Sequence, residues 1–180
     1  MIVLDMDGVL VNFCKGAYEA HGRQWDESLP TMFDFFEEWG MTADEFWAPI
    51  NELGAEWWAE LPLFPWAEEL IETCRSFDQD CIVATASSHH GYSAAGKVAA
   101  LQKLFGPKFR DYFITPKKWL LGAEDRILID DLDTNCNGFI DHGGEAVLFP
   151  QPWNVNADLC DDRLGFVKHE LTYILKESVL

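Results

Sequence analysis

The chain has 180 residues, of which 48% are hydrophobic, and it carries a formal net charge of −18. This length suits one domain and leaves little room for two independent ones. The negative charge disfavours a nucleic acid polymer as partner, and no stretch is apolar enough to span a membrane. Five scattered cysteines without a Cys-x-x-Cys pair argue against a disulfide framework or a structural zinc site. We therefore expect a cytoplasmic protein.

A short hydrophobic strand is predicted at residues 1–4. It runs into Asp5-Met6-Asp7-Gly8, a turn that carries two carboxylates and a glycine. In a parallel α/β sheet, residues just past the carboxyl end of a strand face the crevice where ligands bind. Two aspartates at this position can hold a divalent cation and take part in covalent chemistry.

The segment after this strand is predicted to be a helical insertion. From about residue 11 to residue 65 it lacks strand-like alternation, and it is rich in Trp, Phe, Glu and Ala. Between residues 15 and 64 there are eleven acids and two bases, whereas residues 97–126 hold seven of the thirteen bases. We expect a negatively charged substrate to interact with the second, more basic region.

Strands and helices alternate along the rest of the chain. Strands are predicted at residues 81–84, 112–114, 127–129 and 146–149, and helices at residues 66–74, 93–105 and 161–177, with another helix beginning at Thr115-Pro116. This alternation predicts an α/β fold in which a parallel sheet is covered by helices on both faces.

Polar groups suited to one reaction follow three of the predicted strands. Asp5 and Asp7 follow the first strand, Thr85 follows the strand at 81–84, and Asp130 and Asp131 follow the strand at 127–129. Because the carboxyl ends of parallel strands lie at one edge of the sheet, we expect these side chains to surround a common ligand.

Two lysines, Lys117 and Lys118, fall in the first turn of the helix predicted to begin at Thr115 and Pro116. Cations in that turn oppose the helix dipole, so the placement is locally unfavourable. An anion bound among the strand ends would account for it.

The order of these motifs resembles the haloacid dehalogenase (HAD) superfamily of phosphotransferases over nearly the whole chain. Within the superfamily, the chain is similar to the 5′(3′)-deoxyribonucleotidases. The matching stretches are residues 5–10 with Phe13 downstream, 56–62, 96–97, 104–107, 114–118 and 128–131. The resemblance implies a Rossmann-like core formed by residues 1–14 and 66–180, with residues 15–65 as a small helical cap inserted after the first strand.

The resemblance also implies separate roles for the paired acids. Asp5 would attack the phosphoryl group and become an aspartyl-phosphate, while Asp7 would protonate the departing alkoxide and later take a proton from water. A magnesium ion would be held by Asp5, Asp131 and the backbone carbonyl of Asp7. The motif favours Asp131 over Asp130 as the direct ligand.

The phosphoryl oxygens would be held by Thr85 and Lys118. Motif spacing favours Lys118 over Lys117 for this role, and Gly8 would allow the phosphate to approach the backbone closely. Lys97 either contacts phosphate or is a lysine on a helix surface.

The leaving group would be recognised by the cap. Phe13 and Trp58 are the residues expected to stack on a nucleobase, with Trp57 behind them, and packing inside the cap is the alternative for each. The chain departs from the family at Ala86, where the relatives carry a second hydroxyl. Ser87 or the backbone amide would replace that contact.

The predicted function is therefore a magnesium-dependent 5′-nucleotidase acting on nucleoside 5′-monophosphates, with pyrimidine deoxyribonucleotides as the leading candidates. One alternative is a HAD phosphatase acting on another small ester, such as a sugar phosphate. The other is a non-enzymatic calcium-binding or interaction module at residues 133–141, which resemble nine positions of an EF-hand loop but lack its final Glu and flanking helices. We interpret that stretch as a Gly/Asn-rich turn. A homodimer stays an open alternative to a monomer.

Overall fold

A five-stranded parallel sheet organises the chain, whose computed structural model describes residues 1–26, 30, 32–77 and 79–177. The strands in this part of the chain are β1 (Ile2–Leu4), β2 (Cys81–Thr85), β3 (Tyr112–Ile114), β4 (Ile127–Asp130) and β5 (Glu145–Leu148). They lie in the order β3-β2-β1-β4-β5, and every neighbouring pair is parallel. The predicted α/β fold with a parallel sheet is confirmed.

Seven α-helices are present in the described residues. They are α1 (Phe13–Ala20), α2 (Ala43–Glu52), α3 (Gly54–Ala59), α4 (Ala67–Arg75), α5 (Gly91–Phe105), α6 (Asp133–Asp141) and α7 (Arg163–Glu177), with short 3₁₀-helices at Lys118–Leu121 and Ala157–Asp162. Across these same residues, no helix combines the length and the apolar character that crossing a membrane requires.

The central strand β1 is buried on both faces. Ile2 and Leu4 belong to a large hydrophobic cluster that includes Leu171 of α7, whereas Val3 belongs to a smaller cluster with Phe139 of α6. Successive side chains of a strand point to opposite faces, so the two clusters lie on opposite sides of the sheet. Burial on both faces explains why this strand is a continuous apolar run, and it fixes the position of Asp5 at the strand's carboxyl end.

The segment between β1 and α4 leaves and rejoins the core at one place. Val11 forms an antiparallel bridge with Leu63, and the N–H of Asn12 donates to the carbonyl of Pro62 over 2.8 Å. Helices α1, α2 and α3 lie between these two ends. The assignment of residues 15–65 as a cap stays a prediction, and its residues 27–29 and 31 lie outside the described residues.

Close packing of α5 against α3 depends on Gly96. A Cβ atom at Gly96 would overlap the carbonyl oxygen of Ala55 and the Cβ of Trp58. The absence of a side chain therefore allows the two helices to touch, which brings Trp58 next to Lys97, the residue that follows Gly96 on α5.

The predicted helix beginning at Thr115 is wrong. The N–H of Lys117 donates to Oγ1 of Thr115 over 3.0 Å, and only a 3₁₀-helix, Lys118–Leu121, follows. Gly122 is extended directly afterwards, so too few residues remain for an α-helix. Since a threonine side chain can hydrogen-bond to nearby backbone, it supports a turn here instead of a helix cap.

The turn predicted over residues 133–141 is also wrong, because these residues form α6. Their composition disfavours a helix, but Cys136 and Phe139 are buried against the sheet and stabilise it. The helix also excludes the EF-hand interpretation. Asp133 and Asp141 are separated by about 12 Å along the axis, at about 1.5 Å per residue, whereas an EF-hand loop wraps its ligands around one ion.

Candidate active site

Three buried carboxylates meet at the carboxyl ends of β1 and β4. Asp5, Asp130 and Asp131 each offer an oxygen, and these oxygens all lie within 4.8 Å of one another. The parallel register explains the meeting, because Leu4 pairs with Ile129 and the next residue on each strand is an aspartate. Carboxylate oxygens are the ligands preferred by hard divalent cations.

A single buried ammonium faces this cluster. Nζ of Lys118, which is 3% exposed, lies 2.7 Å from Oδ1 of Asp5 and 2.6 Å from Oδ2 of Asp130. Burial alone would lower the pKa of Lys118, but its two carboxylate partners raise that pKa above its ordinary value. Lys118 is therefore charged, and it balances only one of the three carboxylates.

The pKa values of two acids in the cluster are raised. Burial raises the pKa of Asp5 to about 7, against the opposing influence of Lys118. Burial and the neighbouring Asp130 raise the pKa of Asp131 well above its usual range. Without another cation, protonation of Asp5 and Asp131 is therefore more favourable than that of an exposed aspartate. An all-oxygen site with two uncompensated charges fits a divalent ion such as Mg²⁺.

The adjacent acids Asp130 and Asp131 have different partners. Asp130 accepts from Nδ2 of Asn135 at 3.0 and 3.1 Å and from the N–H of Leu132 at 3.0 Å, in addition to its pairing with Lys118. Both of its oxygens are thus engaged within the protein. Asp131 accepts at Oδ2 from Nε1 of Trp153, at 2.8 Å. Asp131 therefore has more capacity left for an added cation.

The turn that carries Asp7 lies directly against Asp131. Gly8 has φ +78°, and a Cβ there would overlap the carboxylate of Asp131. The carbonyl of Gly8 also accepts a hydrogen bond from the side-chain amide of Gln151. Glycine is needed at this position for both its backbone conformation and its small size.

A second buried lysine links the first two strand ends. Lys97 is 1% exposed, so the alternative of a helix-surface lysine is wrong. Its Nζ contacts the carboxylate of Asp7, lies 2.8 Å from Oγ1 of Thr85 and donates to the carbonyl of Ala86 over 2.6 Å. The other oxygen of Asp7, Oδ1, is buried and has no hydrogen-bond partner among the described residues. Lys97 therefore fixes one oxygen of Asp7, while the other oxygen has no partner among the described residues.

An aromatic cavity of about 210 Å³ opens beside Asp7. Phe13 and Trp58 stack in its wall, with ring centroids 5.5 Å apart and planes 17° from parallel. Trp58 is only 2% exposed, and its ring centroid lies 5.4 Å from Nζ of Lys97. The described residues that line the cavity are Asp7, Phe13, Cys14, Phe33, Asp34, Phe35, Phe36, Phe46, Trp47, Trp58, Ala86, Ser87, Ser88, Lys97 and Trp153.

The structure gathers most of the predicted site residues at this edge of the sheet. Those around the carboxylate cluster and the second lysine are Asp5, Asp7, Gly8, Thr85, Lys97, Lys118, Asp130 and Asp131, and those in the cavity wall include Phe13, Trp58, Ala86 and Ser87. Two candidate residues lie outside this group. Trp57 packs edge-on against Phe13 outside the residues that line the cavity, and Lys117 is exposed.

Sequence reasoning missed the loop that follows β5. Gln151 and Trp153 contact Gly8 and Asp131, and Nδ2 of Asn154 donates to the carbonyls of Asp131 and Phe149 at 2.9 and 2.8 Å. The available signal was position, since the loop follows the carboxyl end of a predicted strand. Asn135, in the first turn of α6, was also missed.

No family model and no curated protein matches this sequence significantly. Several solved structures do resemble the fold. A HAD family hydrolase from Deinococcus radiodurans R1, crystallised with phosphate and sodium, is 14% identical with a TM-score of 0.53, over 87% of this chain and 85% of that one. The putative HAD-hydrolase YfnB from Bacillus subtilis, bound to magnesium, is 17% identical with a TM-score of 0.53, over 95% and 97% of the two chains.

A putative beta-phosphoglucomutase from Thermotoga maritima is similar as well, at 16% identity and a TM-score of 0.51 over 89% of this chain and 98% of that one. At such low identity the likeness shows the fold, and that fold is the one found in HAD hydrolases. A fold of this kind hosts many activities, so the residues of the site determine the function.

Proposed function

We propose that this chain is a magnesium-dependent phosphatase of the HAD superfamily that hydrolyses nucleoside 5′-monophosphates through an aspartyl-phosphate intermediate. The observation that carries the proposal is the cluster of Asp5, Asp130 and Asp131 around the single ammonium of Lys118. It combines a nucleophile, an uncompensated negative charge and a fixed cation in one buried place. The fold shared with HAD hydrolases supports it.

The ion would be held by Asp5, Asp131 and the backbone carbonyl of Asp7. Magnesium bound there would shield the negative charges of the phosphate and of Asp5, which must approach each other. The raised pKa values of Asp5 and Asp131 support this role, because burial and neighbouring acids disfavour their charged forms and a bound cation would offset both effects. The magnesium found in the Bacillus subtilis neighbour is consistent with it.

The attacking group would be Oδ2 of Asp5. Its other oxygen, Oδ1, already accepts from the N–H of Met6 over 2.6 Å and pairs with Lys118. In the first step Oδ2 bonds to phosphorus and the bond from phosphorus to the ester oxygen breaks. In the second step a water oxygen attacks phosphorus and releases Asp5 with inorganic phosphate.

Asp7 would transfer the protons in both steps. It would protonate the departing alkoxide, and then take a proton from the attacking water. Asp7 lines the aromatic cavity, and its Oδ1 has no hydrogen-bond partner among the described residues, which leaves this carboxylate oxygen available to carry a proton. Lys97 holds the other carboxylate oxygen and so fixes the direction of Oδ1.

The phosphoryl oxygens would be bound by Thr85, Lys97 and Lys118. Lys118 contacts Asp5, and Lys97 contacts Asp7 and Thr85. All three are buried, so their interactions with the phosphate would be weakly screened by water. Positive groups preorganised around a phosphoryl group stabilise the charge that its transition state spreads over the equatorial oxygens.

The aromatic cavity beside Asp7 supports a nucleobase as part of the leaving group. Eight of the described residues that line it are Phe or Trp, and flat apolar rings bind bases by stacking. A sugar phosphate is the second candidate, because one structural neighbour is a putative beta-phosphoglucomutase. Sugars bind mainly through polar groups, and such groups are a minority in this cavity wall.

Phosphate release from a matched substrate panel tests the proposal. The panel contains pyrimidine and purine nucleoside 5′-monophosphates, glucose phosphates and p-nitrophenyl phosphate, each with Mg²⁺ or with a chelator. We expect magnesium-dependent release that is fastest with a nucleotide, and Asp5→Asn is expected to be inactive while folded by circular dichroism. Preference for the glucose phosphates over every nucleotide would reject the nucleotidase assignment. Substantial activity of Asp5→Asn would reject the nucleophile.

A further inference from the structure

Trp153 connects the carboxylate cluster to the aromatic cavity. It lies in the loop after β5, and its Nε1–H donates to Oδ2 of Asp131 over 2.8 Å. The same indole ring forms part of the cavity wall. No other residue in the described ranges is seen both to donate to Asp131 and to line the cavity.

The surrounding loop gives Trp153 a fixed position. Gln151 is buried and its amide donates to the carbonyl of Gly8. Asn154 donates to the carbonyls of Asp131 and Phe149. The residues on either side of Trp153 are therefore tied to the same backbone that carries the cluster, so the indole N–H meets the carboxylate with little freedom.

The carboxylate of Asp131 needs such a partner. It is 2% exposed, lies close to two other acids, and Trp153 is the only side chain seen to donate to it within the described part of the chain. The hydrogen bond from Nε1–H of Trp153 fixes the direction of one oxygen of this carboxylate. Donors to metal-ligating carboxylates contribute about 10-fold to 100-fold to metal affinity.

We propose that Trp153 is a positioning residue that holds the carboxylate of Asp131 in the orientation that binds Mg²⁺. This inference rests on the proposed function, since it takes Asp131 to be a magnesium ligand. It adds a residue of the cavity wall to the metal site. A leaving group that moved the Trp153 ring would therefore alter the affinity for Mg²⁺.

Isothermal titration with MgCl₂, in the absence of any phosphate ester, tests this role without relying on activity. Trp153→Phe keeps an aromatic ring in the cavity wall but removes the N–H donor, so we expect its Kd for Mg²⁺ to rise by about tenfold or more. Trp47→Phe is the matched control, because Trp47 lines the same cavity and, within the described residues, the indole seen to donate to Asp131 is that of Trp153. Its Kd is expected to stay within about twofold of the wild type.

A second variant separates the lost hydrogen bond from lost packing. Site-specific replacement of Trp153 by benzothienylalanine keeps the size and shape of the indole but puts sulfur in place of N–H, so it remains informative if Trp153→Phe does not fold. We expect it to weaken Mg²⁺ binding as well, with phosphate release restored by higher MgCl₂. A wild-type Kd in the benzothienylalanine protein would overturn the role of Trp153 alone. Absence of Mg²⁺ binding by the wild type would overturn the proposed metal-dependent function together with it.

Discussion

Gly8 lies so close to Asp131 that a methyl group on Gly8 would overlap the carboxylate. Its φ of +78° is also one that other residues rarely adopt. The turn that carries Asp7 and the strand end that carries Asp131 thus pack without any space between them, and this contact can be tested by a single added carbon.

Gly8→Ala is expected to reduce kcat/KM by about 100-fold, because displacing a catalytic group by about 1 Å can have an effect of that size. Gly22→Ala provides the control. Gly22 has φ +63°, but a Cβ added there would have nothing within 4 Å of it, so this variant carries only backbone strain, about 1 to 2 kcal/mol. Steady-state kinetics and thermal unfolding of both variants would distinguish the two effects. Equal losses of activity would contradict the contact as the cause.

Lys118→Met is expected to lose about 100-fold to 1,000-fold in kcat, as is typical when a charge-stabilising donor is removed. Lys117→Met is the matched neighbour, and it should retain activity within about threefold because Lys117 is exposed. Removing one partner of a buried ion pair costs about 3 to 5 kcal/mol, so the melting temperature of Lys118→Met should also fall. The reverse ranking of activities would show that Lys117, and not Lys118, is the lysine that binds phosphate.

The metal-free protein is expected to lose stability as pH rises from about 4 to about 7. The pKa of Asp5 is raised from 3.8 to about 7 in the folded state, so over this interval the folded state binds more protons than the unfolded state, and unfolding becomes more favourable as they are lost. Magnesium would replace those protons. Melting temperatures measured with EDTA and with MgCl₂ should therefore differ more at pH 7.5 than at pH 5, and an equal difference would contradict a cation bound by Asp5.

Asp7→Asn is expected to affect esters unequally. An alkyl phosphate needs a proton on its departing oxygen, whereas p-nitrophenolate leaves without one. Rapid mixing of the variant with p-nitrophenyl phosphate should therefore give a burst of p-nitrophenol followed by slow turnover, since hydrolysis of the acyl phosphate still lacks its base. Nucleoside monophosphates should show no burst. A uniform loss across both substrates would argue against Asp7 as the proton donor.

The strand-end residues of the site could be predicted from the sequence. Asp5, Thr85 and Asp131 each follow a hydrophobic strand closely, and a parallel sheet places the carboxyl ends of its strands at one edge. Their meeting therefore follows from pattern and topology. The position of Lys97 does not follow in this way. The direction of its side chain depends on the rotation of α5, which the packing of Gly96 against α3 determines.

The structural features that the sequence did not predict depend on tertiary contacts. Residues 133–141 have poor helix propensity, yet they form α6 because Phe139 is buried against the sheet. Trp153 lies in an irregular loop, where side-chain direction depends on hydrogen bonds such as those of Gln151 and Asn154. Neither periodicity nor residue type records contacts of this kind.

The bridge between Val11 and Leu63 brings the two ends of the intervening segment together. A segment whose two ends lie side by side can be lengthened, shortened or exchanged at small entropic cost. The distance between its ends stays the same when its length changes. The strand ends that would carry the phosphoryl chemistry need not move during such an exchange. This architecture would allow substrate preference to diverge among descendants of one ancestral enzyme while the chemical step stayed the same.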